Sequence, residues 1–464
     1  MGKTKPSLVR RLAIGLVGQG LWRVAVALNA VLLVPTLIAH WGVQGYGQWM
    51  TISAIVSCLG YATLGLVSTV INDIIMAVAS QNQARAQRSF QMSCNLALGP
   101  FPILLAALVA ALSILPLSVW FNLTDFSRLD LALILGFGAL QLNFETLRGI
   151  MASILYSRGN YGLSYNSAAG AKLLELVSAI SAVALLNARP VYLAALMAGF
   201  SCLDLFIVTL MARAAAPWAR LNPRLMDAEW LLRQLKPGLG FNCYNFATQG
   251  VLVQGPRLVL GMLLGGSAVA VYAVYATAMR LVDQLFIALI APAGVEISHA
   301  AGRGEGEQLV RLIAIVAQLS VLAFLGVSVF LMALGPIIFE WWTHDRIAFH
   351  HGFMALYLAM SAAYLPGRVA AQVLISLNAM RSAALGGLAI ACLSLVVGAA
   401  FVPMLGLPAV LFAGIFGEIA SSALMLSYLK RRLDLPLDHL ARQVANVSGS
   451  AAVVWTHARA MLRR

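Results

Sequence analysis

Apolar runs of about twenty to thirty residues follow one another along almost the whole chain, and that length decides the fold class. A run of this size crosses the hydrocarbon layer as a helix; a barrel strand needs only about ten residues of alternating polarity. In lipid each span must satisfy its own backbone, so the chain is expected to be an all-α polytopic membrane protein. Composition agrees. Of 464 residues, 61% are hydrophobic and only 10% charged, which is too little charge for a soluble domain of that size.

Hydropathy divides the chain into about 12 transmembrane helices. Six are expected from Leu12 to Ile38, Tyr46 to Val78, Phe90 to Trp120, Leu131 to Leu155, Leu163 to Leu186 and Val191 to Met211. Six more are expected from Gly238 to Leu264, Val269 to Ile297, Leu309 to Leu334, Phe353 to Leu377, Ala383 to Val402 and Pro408 to Leu429. The expected organisation is an N-terminal lobe over residues 1–212, an inter-lobe loop over 213–237, a C-terminal lobe over 238–430 and a basic tail over 431–464. In the loop, Glu229, Trp230, Leu231, Leu232 and Leu235 suit either a short interfacial helix or a plain linker. Lys3, Lys5, Arg10 and Arg11 precede an apolar stretch too long for a signal-peptide core. No A-x-A pattern follows it, so the first span is expected to be retained.

The net charge is +14, and its distribution matters more than its size. With the N-terminus inside, 23 lysines and arginines fall on one side, among them Arg85, Arg88, Arg158, Lys172 and Arg213. Arg128, Arg189 and Arg346 fall on the other. This asymmetry places both termini in the cytoplasm. No basic segment is interleaved with stacking aromatics, so nucleic acid is not an expected partner. Cys58, Cys94, Cys202, Cys243 and Cys392 all lie in apolar runs and read as small buried hydrophobes. His344, Asp345, His350 and His351 share an outer loop without repeated ligand spacing, so no metal is expected. Asp73 closes the second span, and capping or a loop contact is its default role.

The two halves repeat. Gly42 to Trp49 joins the first two spans and Gly265 to Tyr272 joins the seventh and eighth, at a constant offset of 223. Gly42 meets Gly265, Gly47 meets Ala270 and Trp49 meets Tyr272. Six and six spans in the same sense imply parallel repeats, as in transporters.

Arginines inside the spans carry the functional expectation. A cation at bilayer depth costs at least a few kcal/mol, so it must face protein, water or a charged ligand. Arg23, Arg257 and Arg368 have no acid on their own helix nearby. Gln19 shares the face of Arg23; Asn242, Asn245 and Gln249 form a stripe ahead of Arg257; Tyr364 and Gln372 flank Arg368 at helical spacing. Arg257 follows Pro256, which can kink the helix and re-aim it. Arg148 and Arg280 differ, because Glu145 and Asp283 stand three residues away and are expected to pair with them. For Arg23, Arg257 and Arg368 the rival is a structural pair with an acid on another helix: Glu175, Asp204, Glu296 or Glu418. A guanidinium grips a pyrophosphate in bidentate fashion, so an anionic cargo is expected at Arg23, Arg257, Arg368, Arg280 and Arg148. The amides and Tyr364 would meet its polar groups. Asp283 and Glu175 are the candidates for coupling to a proton or sodium gradient.

The stretch PTLIAHWGVQGYGQW from Pro35 to Trp49, then Leu64, Gly65, Leu66 and Asn72, resembles the opening of Wzx-type oligosaccharide flippases. So does LVLGMLLGGSAVAVY from Leu258 to Tyr272, followed by Ala278 to Val282. Glu340, Trp341 and Trp342, and the segment Gln372 to Asn378, fit the same pattern. The resemblance covers nearly the whole chain. It implies the MATE-like fold of the MOP superfamily, with two six-helix lobes around a central cleft. It also implies movement of undecaprenyl-pyrophosphate-linked sugars to the outer leaflet of a bacterial inner membrane by alternating access, for O-antigen or exopolysaccharide assembly. A polymerase and a chain-length regulator of the same pathway would be partners, and the flippase itself a monomer.

Two other classes were weighed. A cation-coupled multidrug exporter of the same fold commonly uses an acidic residue in the first span. Here no Asp or Glu precedes Asp73, and Arg23 occupies that span. An envelope enzyme would need a large outer loop with paired carboxylates, or a nucleotide motif, and the sequence has neither. No cofactor is expected.

Overall fold

The computed structural model describes residues 8–63, 66–219, 242–280, 297, 306–376 and 380–433. All regular structure among them is helical. Among the described residues, eight helices are long and apolar enough to cross a membrane, so the chain is a multi-pass membrane protein. The expected interfacial helix at 229–235, the basic tail, Asp283 and Glu296 lie outside the described residues.

The chain forms two compact units. The first comprises Met1–Asn242, Val253–Val274 and Trp341–Ile347; the second comprises Cys243–Leu252, Tyr275–Glu340 and Ala348–Arg464. The first unit therefore takes in Val253–Val274, a stretch that the sequence reading assigns to the C-terminal lobe.

In the first unit, α1 (Leu8–Leu59) merges the first expected span with the opening part of the second. A 3-10 turn at Gly60–Thr63 leads to α2 (Leu66–Ala79), and α3 (Gln83–Leu98) and α4 (Pro100–Ile114) share the third span. After a short α5 (Leu117–Trp120) come α6 (Arg128–Ser157), α7 (Tyr161–Leu186) and α8 (Pro190–Ala215). Local chemistry sets these limits. Ser127 and Asp130 form a capping box at the start of α6, and Pro100 and Pro190 occupy first-turn positions where a missing N–H costs nothing. Asp73 is buried and takes its partners from α3, the Arg85 guanidinium and the Ser89 hydroxyl. It is a structural contact, as expected.

Two interruptions in α1 leave carbonyls without helical donors, and one distant segment satisfies both. Pro35 has no N–H to give the Val31 carbonyl. The Trp342 indole donates to that oxygen at 2.6 Å. At Gly42 the backbone leaves the helix (φ 72°, ψ 172°). The Arg346 guanidinium donates to the Ile38 and Ala39 carbonyls just before it, at 2.6 and 3.1 Å. A cation at a helix C-terminal end is also favoured by the helix dipole.

The seventh span departs most from expectation. It is not one α-helix from Gly238 to Leu264. Residues 242–245 are α-helical, Phe246–Gln254 is π-helical, and α9 covers Gly255–Leu263. Pro256 explains the change, because a ring at that position clashes with the carbonyl four residues back and withholds a donor. A wider π turn absorbs both defects. The next helix, α10, spans residues 266–280. Gly265, at its start, has φ +81°. The matched glycines of the sequence repeat, Gly42 and Gly265, thus share a left-handed conformation that suits glycine. The two junctions also touch. A Cβ on Gly47 would lie 1.7 Å from the Gly266 carbonyl oxygen, and one on Gly266 would lie 2.6 Å from that of Gln44.

In the second unit, α11 (Gly306–Thr343) leads to three helices of 26 residues each: α12 (His351–Ser376), α13 (Met380–Leu405) and α14 (Pro408–Leu433). The last residues of α11 belong to the first unit. Tyr275 packs among Phe339, Phe349, Phe353 and Tyr357, and its hydroxyl accepts the His350 N–H at 2.6 Å.

Candidate functional site

The interior of the first unit holds a polar network between apolar helices. Arg148 of α6 is its centre. Its Nε donates to Asp204 Oδ2 of α8 at 2.8 Å, and its Nη2 to the Ser164 carbonyl of α7 at 2.7 Å. Ser167 donates to the other Asp204 oxygen at 2.5 Å. The expected pair of Arg148 with Glu145 is not the one formed. A partner across the helix packing engages Nε while the Ser164 carbonyl takes Nη2.

Glu145 instead accepts from Gln141 at 3.0 Å and makes no ion pair among the described residues. Its side chain is exposed on α6, and the charges of Lys172, Glu175 and Arg148 all act on it. Lys172, counted with the cytoplasmic loops by hydropathy, lies within α7 and pairs with Glu175 at 2.7 Å. Glu175, a candidate for ion coupling, is therefore already neutralised by its neighbour. Arg23 of α1 is half-buried, and it and Arg148 both act on the ring of Tyr165. Gln19 is half-buried one turn earlier. Three cations (Arg23, Arg148, Lys172) thus stand with three acids (Glu145, Glu175, Asp204) in one helix group. The two buried acids, Glu175 and Asp204, each have a cation, as burial demands, since an unpaired buried ion would bear the full desolvation cost.

Arg257 lies elsewhere in the first unit. It is 3% exposed, and its Nη1 donates to Gln254 at 2.9 Å. The π turn before α9 sets this geometry. Asn242 donates to the Tyr61 carbonyl at 3.3 Å. Its expected stripe-mates Asn245 and Gln249 fall in the second unit, the first half-buried and the second exposed.

The second unit has a smaller polar group. Arg368 of α12 lies 5.2 Å over the Tyr364 ring, a cation–π distance. Arg368, Tyr364 and the buried Glu418 of α14 all act on Tyr244. Gln372 is half-buried one turn beyond Arg368. Arg280 is exposed, and its Nη2 donates to Thr277 at 3.0 Å. The five arginines therefore divide: Arg23, Arg148 and Arg257 belong to the first unit, Arg280 and Arg368 to the second.

Neither Ser164 nor Ser167 stands out in the sequence, where Trp342 figures only in a motif and Arg346 only among the outer-side cations. The first two would show as hydroxyls on the α7 face that carries Lys172 and Glu175. No local signal announces the last two, whose acceptors lie some 300 positions away.

No protein-family model matches the chain, and no curated protein sequence does. Solved structures do. An inward-facing multidrug MATE transporter of the MOP superfamily matches with a TM-score of 0.64 at 15% identity, covering 94% of this chain and 99% of that one. A eukaryotic MATE transporter matches at 0.65 and 12% identity, covering 94% and 98%. The lipid II flippase MurJ, in an inward closed conformation, matches at 0.59 and 13% identity, covering 94% and 92%. The chain is similar to all three over nearly its whole length, and its fold is the MATE-like MOP fold.

Proposed function

We propose that the chain flips an undecaprenyl-pyrophosphate-linked oligosaccharide from the cytoplasmic to the outer leaflet of a bacterial inner membrane, by alternating access and with both termini in the cytoplasm. The observation that carries this reading is Arg23. It stands on the first membrane helix, in a segment without Asp or Glu, and faces the polar interior of the first unit. A guanidinium there suits a pyrophosphate. The Wzx-type motifs and the fold shared with a lipid II flippase support the same class of cargo. Arg257 and Arg368 are proposed as further phosphate contacts, and Arg280 as an accessible one. Arg148 is assigned a scaffold role, because Asp204 and Ser164 occupy its Nε and Nη2. Gln19, Asn242, Asn245, Gln249, Tyr364 and Gln372 are proposed sugar contacts. A polymerase and a chain-length regulator would take over the product.

A second reading, an ion-coupled small-molecule exporter, draws on the MATE neighbours and on Glu145, an acid inside an expected span that makes no ion pair among the described residues. Glu145 is also the better coupling candidate within the flippase reading, since Glu175 is paired. Proteoliposomes separate the two readings. Wild-type protein should move a fluorescent lipid-linked glycan between leaflets and leave cationic dyes where they are. Dye efflux without glycan movement would reject the flippase.

A further inference from the structure

The first unit contains a cavity that the polar interior does not use. It encloses about 400 Å³ and is lined by Phe90 of α3, Met151 of α6 and Thr209, Ala212 and Arg213 of α8, with Ala216 just beyond. The floor is apolar. Phe90, Met151, Ala212 and Ala216 belong to the buried cluster where α3, α6 and α8 converge. The rim is cationic. Arg213 stands in the last turn of α8, is exposed and makes no ion pair among the described residues. Thr209 lies one turn deeper on the same face. Trp218, half-buried just past the helix, packs on the same cluster, as indoles do at the level of lipid headgroups. Among the described residues acids do not offset the charge at this end: Asp73 is committed to Arg85, while Arg158 and Arg213 both stay exposed.

We propose that this cavity binds an anionic phospholipid, with the phosphate on the Arg213 guanidinium and one acyl chain along the floor between α3, α6 and α8. The apolar walls favour a lipid over a soluble anion. The exposed guanidinium, without an ion pair among the described residues, favours an anionic headgroup over a zwitterionic one, whose ammonium it would repel.

Native mass spectrometry of the full-length protein, titrated with phosphatidylglycerol and phosphatidylcholine of matched chains, tests this. Wild-type protein should retain phosphatidylglycerol preferentially. Arg213→Ala should weaken that retention roughly tenfold, the scale of one charge-assisted hydrogen bond. Arg158→Ala, a cation at the same end outside the cavity, should leave it unchanged. Excess inorganic phosphate should not displace the lipid. Equal retention of the two lipids, an equal loss in both variants, or displacement by phosphate would overturn the proposal.

Discussion

The two units place opposite charges at matching positions of the same scaffold. The offset of 223 that relates Gly42 to Gly265 also relates Arg128, which starts α6, to His351, which starts α12. It then relates Gln141 to Tyr364 and Glu145 to Arg368. In the first unit that position is an acid among three cations and two further acids. In the second it is a cation stacked on Tyr364 near Glu418. Backbone architecture therefore repeats while electrostatics do not. The fold needs helices of the right length and junctions that tolerate a left-handed residue. The polar interiors answer to what each unit must hold.

If the first network is a scaffold around Arg148, breaking it should cost most. Asp204→Ala leaves a buried guanidinium without its acid and should destabilise by about 3–5 kcal/mol, read as a lowered unfolding midpoint in detergent. The double variant Arg148→Met with Asp204→Leu should recover most of that loss. In the second unit, Arg368→Met should cost about 2 kcal/mol at most, because part of its environment is an aromatic face. An equal loss in both units would erase the contrast.

The α1 interruptions come next. Trp342→Phe strips the Val31 carbonyl of its donor and should cost about 1–3 kcal/mol. In a Pro35→Ala background, where the helix supplies its own donor, the same substitution should cost far less. A double-mutant cycle measures the difference. Equal costs in both backgrounds would mean that the indole is held for packing alone.

Glu145→Gln should change stability least, within about 0.5 kcal/mol, since no ion pair is lost. If Glu145 couples transport to an ion gradient, that variant should lose gradient-driven transport while Glu175→Gln loses stability instead. The reverse pattern would return the coupling role to Glu175.

Much of this was legible from the chain. Runs of about twenty to thirty apolar residues mark spans because bilayer thickness is a fixed ruler. Gly42 and Gly265 marked junctions, because their backbone chemistry is local. Side-chain partners were not legible. Arg148 had an acid three residues away and took one 56 positions away. Lys172 looked like a loop cation because hydropathy cannot see that Glu175 neutralises it within the helix. The π turn at Phe246–Gln254 follows from Pro256, but a kink, a break and a π turn all answer the same missing donor.

The central claim is that Arg23 meets a phosphate of the cargo. The direct measurement is leaflet-to-leaflet transfer of an undecaprenyl-pyrophosphate-linked glycan in proteoliposomes containing Arg23→Ala, alongside its unfolding midpoint. The account predicts transfer lost with the midpoint unchanged. Transfer at the wild-type rate would contradict it, and a lowered midpoint with transfer per folded molecule intact would make Arg23 one more member of the first unit's structural network.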